Sequence, residues 1–278
     1  MDLIEIDMER CRKDGICAEV CPLGILAIDR EKGPYVQDGR SAYCIGCGHC
    51  VAACPHGALD NRLNPLAGQL SLEGHPTPDA RSTAIFLRSR RSVRCYKTEP
   101  VAKETVLQLL DIARYAPSGH NSQGISYLVV EGREALDRIC CFVADWMREM
   151  LRTQPELARK LHMAGIVKAH ENGDDRILRG APQIVVASAP VDLRPAQGST
   201  YLALEYVELY APTLGVGTCW AGYTNACAQM YPPLAQFLRI PAGHAITGIL
   251  MIGYPRYACY RLPERNPLDV SWFEEKQD

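Results

Sequence analysis

Beyond residue 100 the apolar positions change period in a way that separates helices from strands. Val106, Leu109, Leu110 and Ala113 recur at helical spacing after Pro100, and the pattern stops at Pro117-Ser118-Gly119. Leu136, Ile139, Cys140, Val143, Met147 and Met150 make a second helical stripe, whereas 201–214 (YLALEYVELYAPTL) is apolar nearly all round, as a central helix is. Three short β-rich apolar runs, 126–131 (SYLVVE), 184–189 (IVVASA) and 245–253 (AITGILMIG), read as buried strands. The alternation predicts a layered α+β or α/β domain of about 200 residues.

The beginning of the chain has another texture. Residues 1–60 are rich in cysteine and acidic, with six Lys/Arg against ten Asp/Glu. Residues 61–80 (NRLNPLAGQLSLEGHPTPDA) are rich in Pro and Gly and poor in periodicity, which predicts a linker between a domain at 1–60 and a second at 81–278. A length of 278 residues suits two domains, and 47 % apolar residues supply their cores. The net charge of −2 gives no reason to expect a nucleic acid or an anionic membrane as partner. The N-terminus (MDLIEI) has neither a basic nor an apolar leader region, and no stretch approaches the roughly 20 apolar residues needed to span a bilayer. A soluble cytoplasmic protein is expected.

Thirteen cysteines sharpen the picture, because seven stand at metal-ligand spacing. Cys44, Cys47, Cys50 and Cys54-Pro55 make the run C-x2-C-x2-C-x3-C-P, the bacterial ferredoxin pattern in which three close thiolates hold one iron–sulfur cluster and the fourth reaches the other. Upstream, Cys11, Cys17 and Cys21-Pro22 repeat that spacing with Asp14 where a cysteine would stand. In the crossed pattern Cys21, Cys44, Cys47 and Cys50 bind one [4Fe-4S] cluster, and Cys11, Asp14, Cys17 and Cys54 surround the other. A carboxylate is a harder ligand than a thiolate, so the second centre is expected to be labile at one iron: a [4Fe-4S] cluster with aspartate or water there, or a [3Fe-4S] cluster. Alternatively Asp14 only starts the Asp14-Gly15 turn while three thiolates do the binding. Zinc is the competing occupant of such thiols, but its sites come as separated C-x2-C pairs rather than a triple run. Cys95, Cys140, Cys141, Cys219, Cys227 and Cys259 are expected to be small buried hydrophobes.

Clusters carry single electrons, so the second domain is the expected acceptor. It contains no G-x-G-x-x-G after a strand, no Walker loop and no H-E-x-x-H. It does contain a basic cluster, Arg88-Ser89-Arg90-Arg91-Ser92-Val93-Arg94, which reads either as a solvated helix end or as an anion pocket of guanidinium forks and a hydroxyl.

Residues 88–123 resemble the opening of the nitroreductase family of FMN-dependent flavoproteins, in which R-R-S-x-R is followed by a helix and then A-P-S-x-x-N-x-Q, here Ala116 to Gln123. Two more stretches match in the same order, 214–222 (LGVGTCWAG) and 252–255 (IGYP) with Arg261 and Arg265 beyond. Coupling to an N-terminal two-cluster ferredoxin resembles the ferredoxin-fused branch of that family. The resemblance implies a three-layer α/β/α domain with a mostly antiparallel sheet, and hence an α+β protein overall.

It also implies roles. Arg90, Arg91, Ser92 and Arg94, with Arg261 or Arg265 returning from the C-terminal segment, would clamp the FMN phosphate and ribityl chain, and Arg94 would lie near the pyrimidine edge of the flavin. Pro117, Ser118, Gly119, Asn121 and Gln123 match the loop that reaches the flavin from the partner subunit, which makes a homodimer part of the site. Trp220, Ala221 and Gly222 match the turn whose amide faces flavin N5, although the family often has glutamate where Ala221 stands; Gly215, Gly217 and Gly222 also suit a plain helix stop. The stretch 138–179 has no family motif and either covers the flavin or packs a dimer. No side chain is obligatory for catalysis, since the cofactor carries the chemistry; His120 is a proton source or a surface histidine.

The function expected is electron relay from an external donor such as ferredoxin, through the clusters, to FMN and a small-molecule acceptor such as a nitroaromatic or quinone, with NAD(P)H a poor donor. The alternatives are a dehalogenase-type flavin reductase and an electron-transfer subunit serving a protein partner.

Overall fold

The computed structural model describes residues 2–273. Its first unit is a pair of near-repeats. The strands β1 (Ile4–Ile6) and β4 (Leu59–Asn61) pair antiparallel, as do β2 (Leu26–Asp29) and β3 (Gly33–Val36). Between them lie two single-turn helices, α1 (Ile16–Glu19) and α2 (His49–Ala52). Each is entered through a left-handed glycine, Gly15 at φ 79° and Gly48 at φ 72°, a backbone that an L side chain adopts only at a cost. Ile4, Ile25, Leu26, Val51 and Leu59 form the small core. The unit continues past residue 60, because Leu66 packs on this core and the Gln69 amide donates to Asn64. The connecting stretch proper is the exposed run of residues 70–80.

A helix that the sequence pattern does not announce, α3 (Ala80–Ser89), opens the second unit, capped by the Asp79 carboxylate on the Arg81 and Ser82 amides. There follow α4 (Lys103–Ala113), β5 (Ser126–Glu131), α5 (Arg133–Thr153), α6 (Pro155–Lys160), α7 (Met163–Glu171) and β6 (Gln183–Pro190). The chain closes with α8 (Ala196–Tyr210), β7 (Gly217–Trp220), α9 (Gly222–Met230), α10 (Pro232–Leu238) and β8 (His244–Gly253). The four strands form one antiparallel sheet in the order β5-β6-β8-β7.

Strand parity makes the three layers. Ile184, Val186, Ile249 and Met251 face α5, α7, α9 and α10, whereas Val185, Ala187, Leu250 and Ile252 face α4 and α8. The expected α+β class and sheet type therefore stand. Residues 138–179 supply a core layer, with Met147 and Met163 fully buried, rather than a cover standing off the sheet. Cys140, Cys219 and Cys227 are buried as expected, but Cys95, Cys141 and Cys259 are exposed. No helix among the described residues is long and apolar enough to cross a membrane.

Candidate functional site

The thiols gather in two hollows that follow the crossed pattern. One is lined by Cys21, Cys44, Cys47 and Cys50 under Ile4 and Ile25. The other is lined by Cys11, Asp14, Cys17 and Cys54, with Arg12, Lys13 and His56 at its rim. Burial pushes the Cys17 thiol up to about 11, and Cys11, Asp14 and Cys54 add to the rise, so the four groups face one another. Burial likewise raises Cys50, partly offset by hydrogen bonding from Asn61 and Val51 and reinforced by Cys47 and Cys21.

Amides point at the sulfurs: Ile25 N–H to Cys21 Sγ (3.2 Å), Ala58 N–H to Cys54 Sγ (3.4 Å) and Lys13 N–H to Cys11 Sγ (3.4 Å), with Asn61 Nδ2 at 3.7 Å from Cys44 Sγ. Such donors stabilise thiolate charge and tune the potential of a cluster. Among the described residues no three His, Cys, Asp or Glu side chains converge tightly enough to hold one ion. Tetrahedral zinc demands sulfurs about 3.8 Å apart, so the donor set fits a cluster with its ligands on separate irons better than a single ion.

Asp14 lines the second hollow, and its Oδ1 accepts from the Ile16 amide (3.1 Å) at the start of α1. Its Oδ2 lies 3.7 Å from Nε2 of His56, a neighbour that no motif singles out.

In the second unit the fold joins two of the motifs. The basic segment runs beside edge strand β7, with Ser92 bridged to Thr218 and the Val93 amide donating to the Thr218 carbonyl at 2.8 Å. Gly217 is required there, since a Cβ would lie 2.6 Å from Val93 and 2.9 Å from Pro255.

Beneath this junction sits a carboxylate that sequence reasoning missed. Glu208 of α8 is 2 % exposed and accepts from Trp220 Nε1 (2.9 Å), Thr218 Oγ1 (3.1 Å) and Arg90 Nη1 (3.4 Å). Burial raises its pKa against the opposing pull of Arg90. Its only sequence signal is that it is one of two acidic residues, with Glu205, in a largely apolar helix. Arg90 also approaches Glu205 (3.9 Å), so its charge is compensated within the chain. The uncompensated cations of the segment, among the described residues, are Arg88, Arg91 and Arg94.

The N5-type turn needs one correction. The Ala221 amide is committed to the Ile249 carbonyl (2.9 Å) because it continues the β7–β8 ladder, and the Ala221 carbonyl accepts from Asn225 (2.8 Å). The free amide of this turn is that of Gly222, the exposed first residue of α9, where a Cβ would meet nothing within 4 Å. Arg261 and Arg265 also depart from expectation: they lie in an exposed, extended tail and are not brought to the basic segment within one chain.

The third motif lies elsewhere along α8. Gly119 packs so closely on Pro195 that a Cβ would come within 2.5 Å, and its amide points to Ser199 Oγ (3.4 Å). Ser199 and Glu208 are nine residues apart, about 14 Å along the helix. His120, Asn121 and Gln123 all hold left-handed backbone, at φ 53°, 53° and 46°, a strain of the sort that persists where a loop is held for a purpose. Ser118 Oγ accepts from the Gln123 amide, Gln123 Nε2 donates to Asn121 Oδ1, and Ser122 Oγ is buried without a partner. Pro117 and His120 are exposed. Asn121 Nδ2 donates to the carbonyl of Ile45, between Cys44 and Cys47 of the first unit, at 3.0 Å.

Free guanidinium groups, an unpaired amide and an open backbone on one edge suit a planar, anionic, phosphate-bearing ligand. The nitroreductase family model matches residues 87–254, and the model of the 4Fe-4S dicluster domain matches residues 3–55. Electron transport protein HydN of Escherichia coli is 48 % identical over 59 residues, which is 20 % of this chain and 31 % of HydN, so the chain spans less than a third of that relative. A putative NADH dehydrogenase/NAD(P)H nitroreductase of Archaeoglobus fulgidus is 26 % identical over 171 residues, 62 % of this chain and 84 % of the relative. A nitroreductase with bound FMN from Desulfitobacterium hafniense superposes with a TM-score of 0.55 at 22 % identity, covering 69 % of this chain and 98 % of the other. One from Bacteroides fragilis gives 0.54 at 20 %, covering 71 % and 100 %. The structural likenesses show the fold, and the family match extends over more than half the chain. This protein therefore belongs to the nitroreductase family and carries a 4Fe-4S dicluster domain ahead of it.

Proposed function

We propose that this protein is an iron–sulfur flavoprotein oxidoreductase that takes single electrons from a low-potential protein donor of the ferredoxin class and reduces an electron-poor small molecule such as a nitroaromatic or quinone. The observation that carries this reading is the presence, in one chain, of two crossed thiol hollows and a nitroreductase-type edge where a basic segment meets the Gly222 turn. FMN, when bound, supplies the conversion of single electrons into pairs.

Each group has a task that its position supports. Arg91, Arg94 and Ser92 bind and orient the phosphate and ribityl chain, while Arg90 anchors the segment on Glu208. The Gly222 amide, at the positive end of α9, offers a hydrogen bond to the reacting edge of the ring. Trp220 is held by Glu208 and fixes the start of the Gly222 turn. Cys21, Cys44, Cys47 and Cys50 hold one cluster; Cys11, Cys17 and Cys54, with Asp14, hold the other. A homodimer completes the site with Pro117, Ser118, Gly119, Asn121 and Gln123 of a second copy, and with Arg261 and Arg265 on its tail. The apolar surface left open on one chain supports this: Tyr201, Leu202 and Tyr206 on α8 and Tyr260, Leu268, Trp272 and Phe273 on the tail are all exposed.

A second reading, an electron carrier for a protein partner, draws on the likeness of the first unit to HydN. The test is anaerobic stopped-flow absorbance with cluster-reconstituted protein, reduced by ferredoxin or by NADPH and then mixed with a nitroaromatic or a quinone. Catalytic reoxidation of the ferredoxin-reduced flavin supports the reductase, and reduction without small-molecule turnover supports the carrier. Fast flavin reduction by NADPH with the clusters still oxidised refutes the relay.

A further inference from the structure

The hydrogen bonding between the two units falls beside one thiol hollow rather than midway between the two. Among the described residues the only hydrogen bond between residues 2–69 and residues 80–273 runs from Asn121 Nδ2 to the carbonyl of Ile45. Ile45 itself lines the hollow of Cys21, Cys44, Cys47 and Cys50. The junction is braced on both sides. Gln123 Nε2 donates to Asn121 Oδ1, which turns the Asn121 amide so that its donor faces Ile45. On the other side Asn64 Nδ2 donates to the Gly46 carbonyl, and Leu63 lies against Gly46. The hollow containing Asp14 has no such neighbour. None of its lining residues hydrogen-bonds to the second unit among the described residues, and Asp14 and His56 at its mouth are 34 % and 38 % exposed.

We propose that this asymmetry sets the direction of the relay: the centre held by Cys21, Cys44, Cys47 and Cys50 is the exit, docked on the Asn121 loop, and the centre beside Asp14 and His56 is the solvent-facing entrance. The inference rests on the flavoprotein reading above and deepens it. Two one-electron oxidations of a ferredoxin-class donor at the entrance balance each two-electron reduction of the acceptor, with two protons drawn from water. Asn121 is a positioning residue in this scheme. It fixes the distance between the Cys44–Cys47 loop and the ring without exchanging electrons itself. Because the same loop matches the one that serves a second copy, the exit centre of one subunit delivers to the flavin seated on the basic segment of its partner.

The test uses the full-length holoprotein and the variants Asn121→Asp and Asn121→Ala. Hydrogen–deuterium exchange at amides 45–48, read with iron content, reports docking without reference to activity. The expected result is about tenfold faster exchange there at unchanged iron content, since one net hydrogen bond is lost. Flavin reduction from prereduced clusters, normalised to bound FMN, should slow by a similar factor or more, and by a larger factor than reduction of the same flavin by dithionite. Unchanged exchange, or faster exchange with wild-type flavin reduction, overturns the docking claim. The order is tested with Cys47→Ala, in which ferredoxin should still reduce the outer centre while the flavin stays oxidised, and with Cys11→Ala/Cys17→Ala, in which ferredoxin should reduce neither. Wild-type reduction of flavin in the latter reverses the order. A wild-type protein that binds no FMN refutes the flavoprotein reading alone, and the exchange measurement still decides the docking.

Discussion

Glu208→Ala is the substitution whose effect follows most directly from the structure. The carboxylate is 2 % exposed and serves three donors: Arg90 at the end of α3, and Thr218 and Trp220 on β7. Alanine leaves a half-buried guanidinium and two polar hydrogens without their acceptor, and removing one partner of a buried pair costs about 3–5 kcal/mol. For a domain of this size each kcal/mol lowers the melting temperature by about 2–4 °C, so a fall of about 6–20 °C is expected. Glu208→Gln keeps the shape and an accepting oxygen while removing the buried charge, and should stay within about 1 kcal/mol of the parent.

The pH dependence has a defined sign. Burial raises the Glu208 pKa above the ordinary 4.5, so the folded protein holds this proton better than the unfolded chain does. The contribution of Glu208 is most favourable below 4.5 and is lost as pH rises through the raised value. The stability of the parent relative to Glu208→Gln should therefore grow as pH is lowered toward 4.5. Thermal denaturation of the three proteins between pH 4.5 and 8 tests both points. An alanine variant melting within about 2 °C of the parent would show that Glu208 does not anchor the segment.

Two other substitutions probe the cofactor regions. Asp14→Cys supplies a fourth thiolate to the solvent-facing hollow and should raise iron content and change the paramagnetic resonance spectrum of that centre; identical iron and spectra would exclude Asp14 as a ligand. Gly217→Ala forces a Cβ to within 2.6 Å of Val93 and 2.9 Å of Pro255, and should cost about 1–3 kcal/mol and lower FMN content by pushing the basic segment off β7. Calorimetry with flavin absorbance measures both effects, and full FMN occupancy would refute the link between that packing and the site.

Some of this was legible in the residues before any coordinates. The cysteine spacings imply the crossed thiol sets, because iron–sulfur chemistry fixes which sulfurs can share a cluster and a short loop leaves few ways to place them. Strands β5, β6 and β8 and helices α4 and α5 could be read from periodicity, since each buries a face long enough to impose a period. Strand β7 could not be. Four residues flanked by glycine look like a turn until β8 supplies their hydrogen bonds. Helix α3 escaped because no described residue of it is fully buried, so no apolar stripe marks it.

What the chain determined by itself was therefore local chemistry: which thiols, which cations and which glycines are available, and in what order. Tertiary structure decided how they are used. It joined Arg90 to Glu208 across 118 positions and Asn121 to Ile45 across 76, and it spent the Ala221 amide on Ile249. It also left Arg261 and Arg265 on an exposed tail. The physical reason is common to all four. A hydrogen bond or ion pair between distant residues leaves no period and no motif in the sequence, and a backbone amide has no identity there at all; only the packing of the elements on one another determines which groups meet and which remain free.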